Sequence, residues 1–278
     1  MSTPPRSPTA LTPSRLLAEF KADGERLASV ATAHGLTAPA PTCPGWTVGD
    51  VVTHTAAVYR RQAAVIRLGR RPAAGEWEEP PAGDASLDGF RAAHDAMLDE
   101  LGGRKPASPA FTRWPRDPTV AFWYRRMAHE TLVHRVDVEV ACGDRTPVDA
   151  ALALDGIDEV LTVFLRDGWA GVPDDGWGDL RPEDGADRTV AVRAPDTASA
   201  AASGAAEWRC HIDVAGVDVV QVADVAGARG APADATISGP PEQVLLWLWG
   251  RAPDDAVALE GDPGVLRAFR GRLRIATQ

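Results

Sequence analysis

Six histidines stand at positions 34, 54, 94, 129, 134 and 211, and one of them follows a glutamate by four residues in the run HETLVHRVDVEVA (129–141). Successive residues of an α-helix turn by about 100°, so Glu130 and His134 lie ~40° apart and can aim at one ion, whereas His129 and His134 differ by ~140° and cannot. Counted from Val120, the residues Trp123, Met127, Glu130, Thr131, His134, Val138 and Ala141 share an arc about 100° wide, the width of a core-facing stripe. An ionised carboxylate in such a stripe costs several kcal/mol unless an opposite charge or a metal answers it. In the preceding run of helical periodicity, His54 lies beside Val58 and Val65 at the margin of the apolar face, within reach of a neighbouring helix. Two imidazole nitrogens and one carboxylate oxygen leave a fourth tetrahedral position open, which is the arrangement of catalytic rather than structural zinc. Spacing alone keeps a second reading open, because a histidine near an apolar face is commonly a packed core residue and a Glu–His pair at this spacing is commonly a local hydrogen bond.

Other residues are less telling. Asp137 stands one turn beyond His134, where it either orients that ligand or pairs with a surface arginine, the commoner arrangement. Cys43, Pro44, Gly45 and Trp46 read as the turn and staple that fix the entry into the next helix. Arg251 follows the apolar run Val244 to Trp249, where a cation suits the end of a helix and an anion-binding role is the alternative. His34, His94 and His211 have no partner at useful spacing. The three cysteines are too few and too scattered for a disulfide framework and read as reduced thiols with packing roles.

The elements that must position these side chains follow from periodicity and punctuation. A Pro/Thr/Ser-rich lead of thirteen residues precedes a helical pattern from Ser14, with Leu16, Leu17, Phe20, Leu27 and Val30 on its apolar side. Prolines at 39, 41 and 44 exclude helix, and Thr47 with Asp50 then matches a capping box that opens a second helix running to Leu68. A third helix is expected over Leu87–Leu101, and a fourth over Thr119–Ala141 after a proline-broken stretch. Four helices joined by loops make a bundle, placed at 14–146. After the Gly143–Pro147 boundary, a helix over Asp149–Arg166 leads into strands at Thr189–Arg193, Glu207–Val214, Val217–Val222 and Ala235–Ser238. Helices over Pro241–Trp249 and Pro263–Leu273 are interleaved, giving an α+β domain at 149–278.

With 278 residues, 45% hydrophobic and 24% charged, the chain has the composition of a folded globular protein, and its length suits two domains. A net charge of -10 opposes capture of nucleic acid, which depends on Lys and Arg neutralising phosphates. No apolar run approaches the ~20 residues that cross a bilayer, and the opening MSTPPRSPTALTPSRLL lacks the apolar core of a secretory signal, so a cytoplasmic location is expected. Oligomeric state is not encoded in any pattern here.

Three stretches together carry a resemblance: PTCPGWTVGDVVTHTAAVYR (41–60), HETLVHRVDVEVA (129–141), and DATISGPPEQVLLWLWGR followed by VALEGD (234–262). They resemble the mycothiol-dependent maleylpyruvate isomerase family over nearly the whole chain. The resemblance implies a DinB-like four-helix bundle followed by the family's smaller α+β C-terminal domain. It implies a divalent metal, expected to be zinc, held by a histidine of the second helix and by a glutamate and a histidine four apart on the last, which are His54, Glu130 and His134 here. It also implies mycothiol as cosubstrate with its sulfur at the open metal position, where a thiolate adds to a small electrophile, permits rotation about the activated bond and leaves, or stays attached in a transfer. Arg251 in the WGR turn falls where a family arginine serves the substrate or thiol as a catalytic residue. Two rivals are a metal-dependent hydrolase, which needs no thiol, and a non-enzymatic protein that binds metal or a small ligand.

Overall fold

The computed structural model describes residues 9–167, 187–195, 206–213, 216–222 and 232–277. They divide into two compact units, one of Leu11–Thr146 and one of Pro147–Gln278 together with Thr9 and Ala10. The first contains α1 (Pro13–His34), α2 (Val48–Leu68), α3 (Ser86–Gly102) and α4 (Val120–Cys142). Local chemistry sets their ends. Thr12 caps α1 and Pro13 occupies its first turn, where the missing N–H costs nothing. The expected capping box on α2 is formed in both directions between Thr47 and Asp50, and Gly69 closes the helix in the left-handed region. Thr119 caps α4, and Gly143, at φ +66°, terminates it.

In the bundle, α1 lies along α4 and α2 lies along α3, while α2 also borders α4. That last adjacency brings His54 towards Glu130 and His134. The core is built from Leu16, Phe20, Leu27, Tyr59, Phe90, Met97, Leu101 and Trp123, all almost fully buried. Tyr59 packs edge-on against Phe20, and its hydroxyl meets the Thr131 hydroxyl at 2.5 Å, so α2 is pinned to α4 one turn from the histidines. His94 fills the space beside Phe20 and Phe90, with Nε2 3.2 Å from the Phe20 carbonyl oxygen.

The sequence pattern implies one buried stripe on α4. The structure corrects this: between Val120 and Glu139 only Ala121, Arg125 and Glu130 are less than buried. A helix with neighbours on opposite sides buries most of its circumference, so charged residues on its other faces are internal too. Glu139 is one of them. It is fully buried, with Arg26 Nε at 2.8 Å and the Thr146 hydroxyl at 2.7 Å donating to Oε1, and with Arg135 Nη1 at 2.9 Å and the Thr146 N–H at 3.0 Å donating to Oε2. Asp23 pairs with Arg135 Nε at 2.9 Å, so α1, α4 and the segment leaving α4 are tied at one point.

The second unit opens with α5 (Ala150–Glu159), which continues as a π-helical segment, Val160–Arg166. Strands β1 (Arg188–Ala194), β2 (Ala206–Ile212), β3 (Val217–Val222), β4 (Ala235–Ser238) and β5 (Ala258–Gly261) form one sheet in the order β3-β2-β1-β4-β5. The β1–β4 pair is parallel and the others are antiparallel. Helices α6 (Pro241–Leu248) and α7 (Pro263–Ala276) complete the unit. Four of the strands lie where alternation predicts them, although Val214, the last residue expected in the second, lies outside the described residues. The fifth strand was not expected: its four residues contain one half-buried apolar side chain, Leu259, too little to show alternation.

Candidate metal centre

Glu130 and His134 stand one turn apart in the middle of α4, and His54 faces them from the second turn of α2. His134 Nε2 is 3.4 Å from Glu130 Oε1, and His54 Nε2 is 3.8 Å from the same oxygen. The two imidazoles meet nearly edge to face, with centroids 5.1 Å apart. One donor atom from each of the three residues falls within 4.8 Å of the other two, the one such grouping among the described residues. The His134 side chain is buried, whereas that of His54 is 41% exposed, so the cluster opens to solvent on the α2 side.

A second layer of contacts holds the three in place. Arg126, one turn before Glu130, is buried and brings Nη2 to 2.7 Å from Glu130 Oε2. The carboxylate therefore splits its duties, with Oε2 on the arginine and Oε1 towards the imidazoles. Asp137 takes the arrangement that orients the ligand. It is fully buried, with Oδ2 3.0 Å from His134 Nδ1, because the face of α4 that carries it is internal. The Cys43 thiol donates to the same Oδ2 at 3.2 Å, and the Trp46 ring stands 5.0 Å from that of His54. The segment expected only to turn the chain into α2 thus touches the site twice.

These contacts set the protonation states. Burial pushes the Glu130 carboxyl up, but the bonds to His134 and His54 and the Arg126 charge outweigh it, and its pKa is held well below the usual carboxylate range. Burial would lower His134, but the hydrogen bonds to Asp137 and Glu130 outweigh it and raise the imidazole to about 9. In the absence of a metal, His134 is accordingly an imidazolium at neutral pH, between two carboxylates.

Sequence reasoning missed Arg126, Cys43 and Trp46. The first was legible, since an arginine four residues before a glutamate on a core-facing stripe is a helix neighbour of opposite charge. Nothing in the spacing links Cys43 to Asp137, 94 positions away, and the packing of Trp46 on nearby His54 depends on the shape of the loop. The remaining histidines lie apart from the cluster: His94 in the aromatic core, His129 buried on another face of α4, His34 3.7 Å from Asp144, and His211 on β2 beside Thr189. Arg251 belongs to the other compact unit. Its N–H closes the end of α6 on the Leu246 carbonyl at 2.7 Å, and Nη1 donates to the Trp249 carbonyl at 2.8 Å, the placement expected of a cation at a helix C-terminus.

Two family models match the chain: the mycothiol maleylpyruvate isomerase N-terminal domain over residues 10–139, and the MDMPI C-terminal domain over residues 151–268. The chain belongs to the mycothiol maleylpyruvate isomerase family. The N-terminal match contains the whole three-residue cluster together with Cys43, Trp46, Arg126 and Asp137, and the C-terminal match contains Arg251. No curated protein and no solved structure matches the chain. Among the described residues, no helix of this family member is long and apolar enough to cross a membrane.

Proposed function

We propose that the protein is a metal- and mycothiol-dependent enzyme that transfers a low-molecular-weight thiol to a small electrophile, or isomerises that electrophile by reversible thiol addition. The observation that carries this reading is the convergence of His54, Glu130 and His134 beside a solvent-open edge. Ligand atoms ~2.0–2.1 Å from a tetrahedral zinc ion stand about 3.4 Å from one another. The separations of 3.4 and 3.8 Å to Glu130 Oε1 fit that spacing, and the donor set of two nitrogens and one oxygen suits zinc. His54 Nε2, Glu130 Oε1 and His134 Nε2 would hold the ion, which when bound supplies a Lewis acid that favours the thiolate form of a thiol.

The chain's own residues prepare that chemistry. Asp137 holds the Nδ1 proton of His134 and leaves Nε2 facing the cluster. Arg126 neutralises Glu130 and keeps one carboxylate oxygen turned away from the donors. The exposed edge of His54, bordered by Trp46, is the side from which a thiol and an electrophile have access. Arg251, through the resemblance of its WGR turn, is assigned to an anionic group of the substrate or thiol. The family name points to an electrophile with a double bond activated by a carboxylate on one side and a ketone on the other.

The test is metal content by plasma mass spectrometry on wild type and His134→Ala, followed by titration of mycothiol into cobalt-loaded protein. About one metal per chain in the wild type, lost in the variant, with a thiol-dependent change in the cobalt spectrum, is expected. A wild type that stays metal-free after reconstitution would overturn the proposal. Glu130 would then be a half-buried carboxylate answered by Arg126 and the His134 imidazolium.

A further inference from the structure

The loop between α1 and α2 is more rigid than a connection needs to be. Pro39 and Thr47 pair across its base, the Ala40 N–H donates to the Trp46 carbonyl at 2.8 Å, and the Cys43 and Trp46 N–H groups close two further turns onto Ala40 and Cys43. Gly45 sits at φ +85°, a conformation that a side chain would strain, so the order Cys43-Pro44-Gly45-Trp46 fixes both where the thiol points and where the indole stands. Each projecting side chain meets one histidine of the cluster. Trp46 packs on His54 directly, and Cys43 reaches His134 through Asp137.

We infer that this loop is a positioning device for both imidazoles of the proposed metal centre, and that Cys43 is a positioning residue that acts through Asp137. Two donors converge on one oxygen, Asp137 Oδ2: the Cys43 thiol at 3.2 Å and His134 Nδ1 at 3.0 Å. The carboxylate is fully buried, so its orientation is set by the groups around it rather than by water. With the thiol on one side, Oδ2 is held in line with the imidazole edge, and the ring is held with Nε2 towards Glu130 Oε1. Without the thiol, Asp137 has fewer constraints on its side-chain rotation, and the ring follows it. Groups that orient a ligand histidine in this way typically govern metal affinity by 10–100-fold. Cys43 thus has a defined task in a thiol-handling family without being a nucleophile.

This inference rests on the proposed metal site, and cobalt binding separates the two. Affinity is measured by competition with a chromophoric chelator, alongside the visible spectrum of the cobalt protein, for wild type, Cys43→Ala, Cys43→Ser, Asp137→Asn and the Cys43→Ala/Asp137→Asn double variant. Cys43→Ala should weaken cobalt about tenfold and alter its spectrum. Cys43→Ser, which keeps a donor, should restore most of both. The double variant should be no weaker than Asp137→Asn alone, because Cys43 acts only through that carboxylate. Thermal unfolding of the metal-free proteins shows whether each variant is folded. A Cys43→Ala protein with wild-type affinity and spectrum, or losses that add in the double variant, would overturn the inference and leave the metal site standing. A wild type that takes up no cobalt would overturn both.

Discussion

Helix α4 carries two glutamates nine positions apart, Glu139 fully buried and Glu130 half-buried, and their surroundings differ in kind. Glu139 has both oxygens filled by donors from Arg26, Arg135 and Thr146, none of which needs anything from solvent or a ligand. Glu130 has one oxygen on Arg126 and the other turned towards two imidazoles, one of which is 41% exposed. A carboxylate saturated from within ties elements together, whereas one left with a shared, accessible oxygen can accept a cation from outside. Burial differs between them only by degree. The count and identity of the donors do.

That contrast breaks down unless the two glutamates respond oppositely to removal. Glu139→Ala leaves the buried Arg135 and the half-buried Arg26 without their shared carboxylate and should cost about 3–5 kcal/mol in urea unfolding, with metal uptake per folded chain unchanged. Glu130→Ala should abolish metal uptake, measured by mass spectrometry, at a smaller stability cost. A Glu139 variant that loses metal while fully folded would show that the two sites are not separate.

The next effect is pH dependence, which sharpens the comparison because His134 titrates far from its ordinary value. Its folded pKa of about 9 lies above the unfolded value near 6.5. Its proton therefore stabilises the metal-free fold fully below pH 6.5, and that contribution is lost as pH rises through 9. Metal must displace the same proton, so zinc affinity should rise with pH by about tenfold per unit across that window. Competition titrations at several pH values read this directly, and a flat profile would count against His134 as a ligand. The smallest effect concerns Arg126. Arg126→Met should lower the stability of the metal-free protein by about 1–3 kcal/mol by leaving Glu130 Oε2 without its donor, and saturating zinc should recover much of the loss. Equal losses with and without zinc would mean that the metal does not answer the same carboxylate.

Much of the frame was legible. Capping at Thr47, the apolar spacing of α1 and α2, and the glutamate–histidine pair on α4 are local patterns, and the structure realises each. The convergence of His54 with that pair was an expectation of spacing, and α2 and α4 are indeed neighbours. What the pattern concealed is non-local. A wheel drawn for one buried face could not reveal that α4 is covered on most sides, so pairing with a surface arginine was the commoner reading of Asp137 and Glu139 drew no notice. The tie from Cys43 to Asp137 spans two segments with no shared periodicity. In the second unit, alternation located four strands but carried no information on their order, and the parallel β1–β4 pairing emerges only from the assembled sheet.

The residues of the cluster come from two short stretches of chain, Cys43 to His54 and Arg126 to Asp137, each ordered by its own capped helix or loop. Within each stretch the contacts are local: Glu130, His134, Arg126 and Asp137 are in register as soon as α4 is helical, and Cys43, Trp46 and His54 ride together on the entry to α2. The centre therefore needs only one long-range closure, between two locally ordered pieces, and the entropy of closing the intervening segment is spent once for all the contacts together.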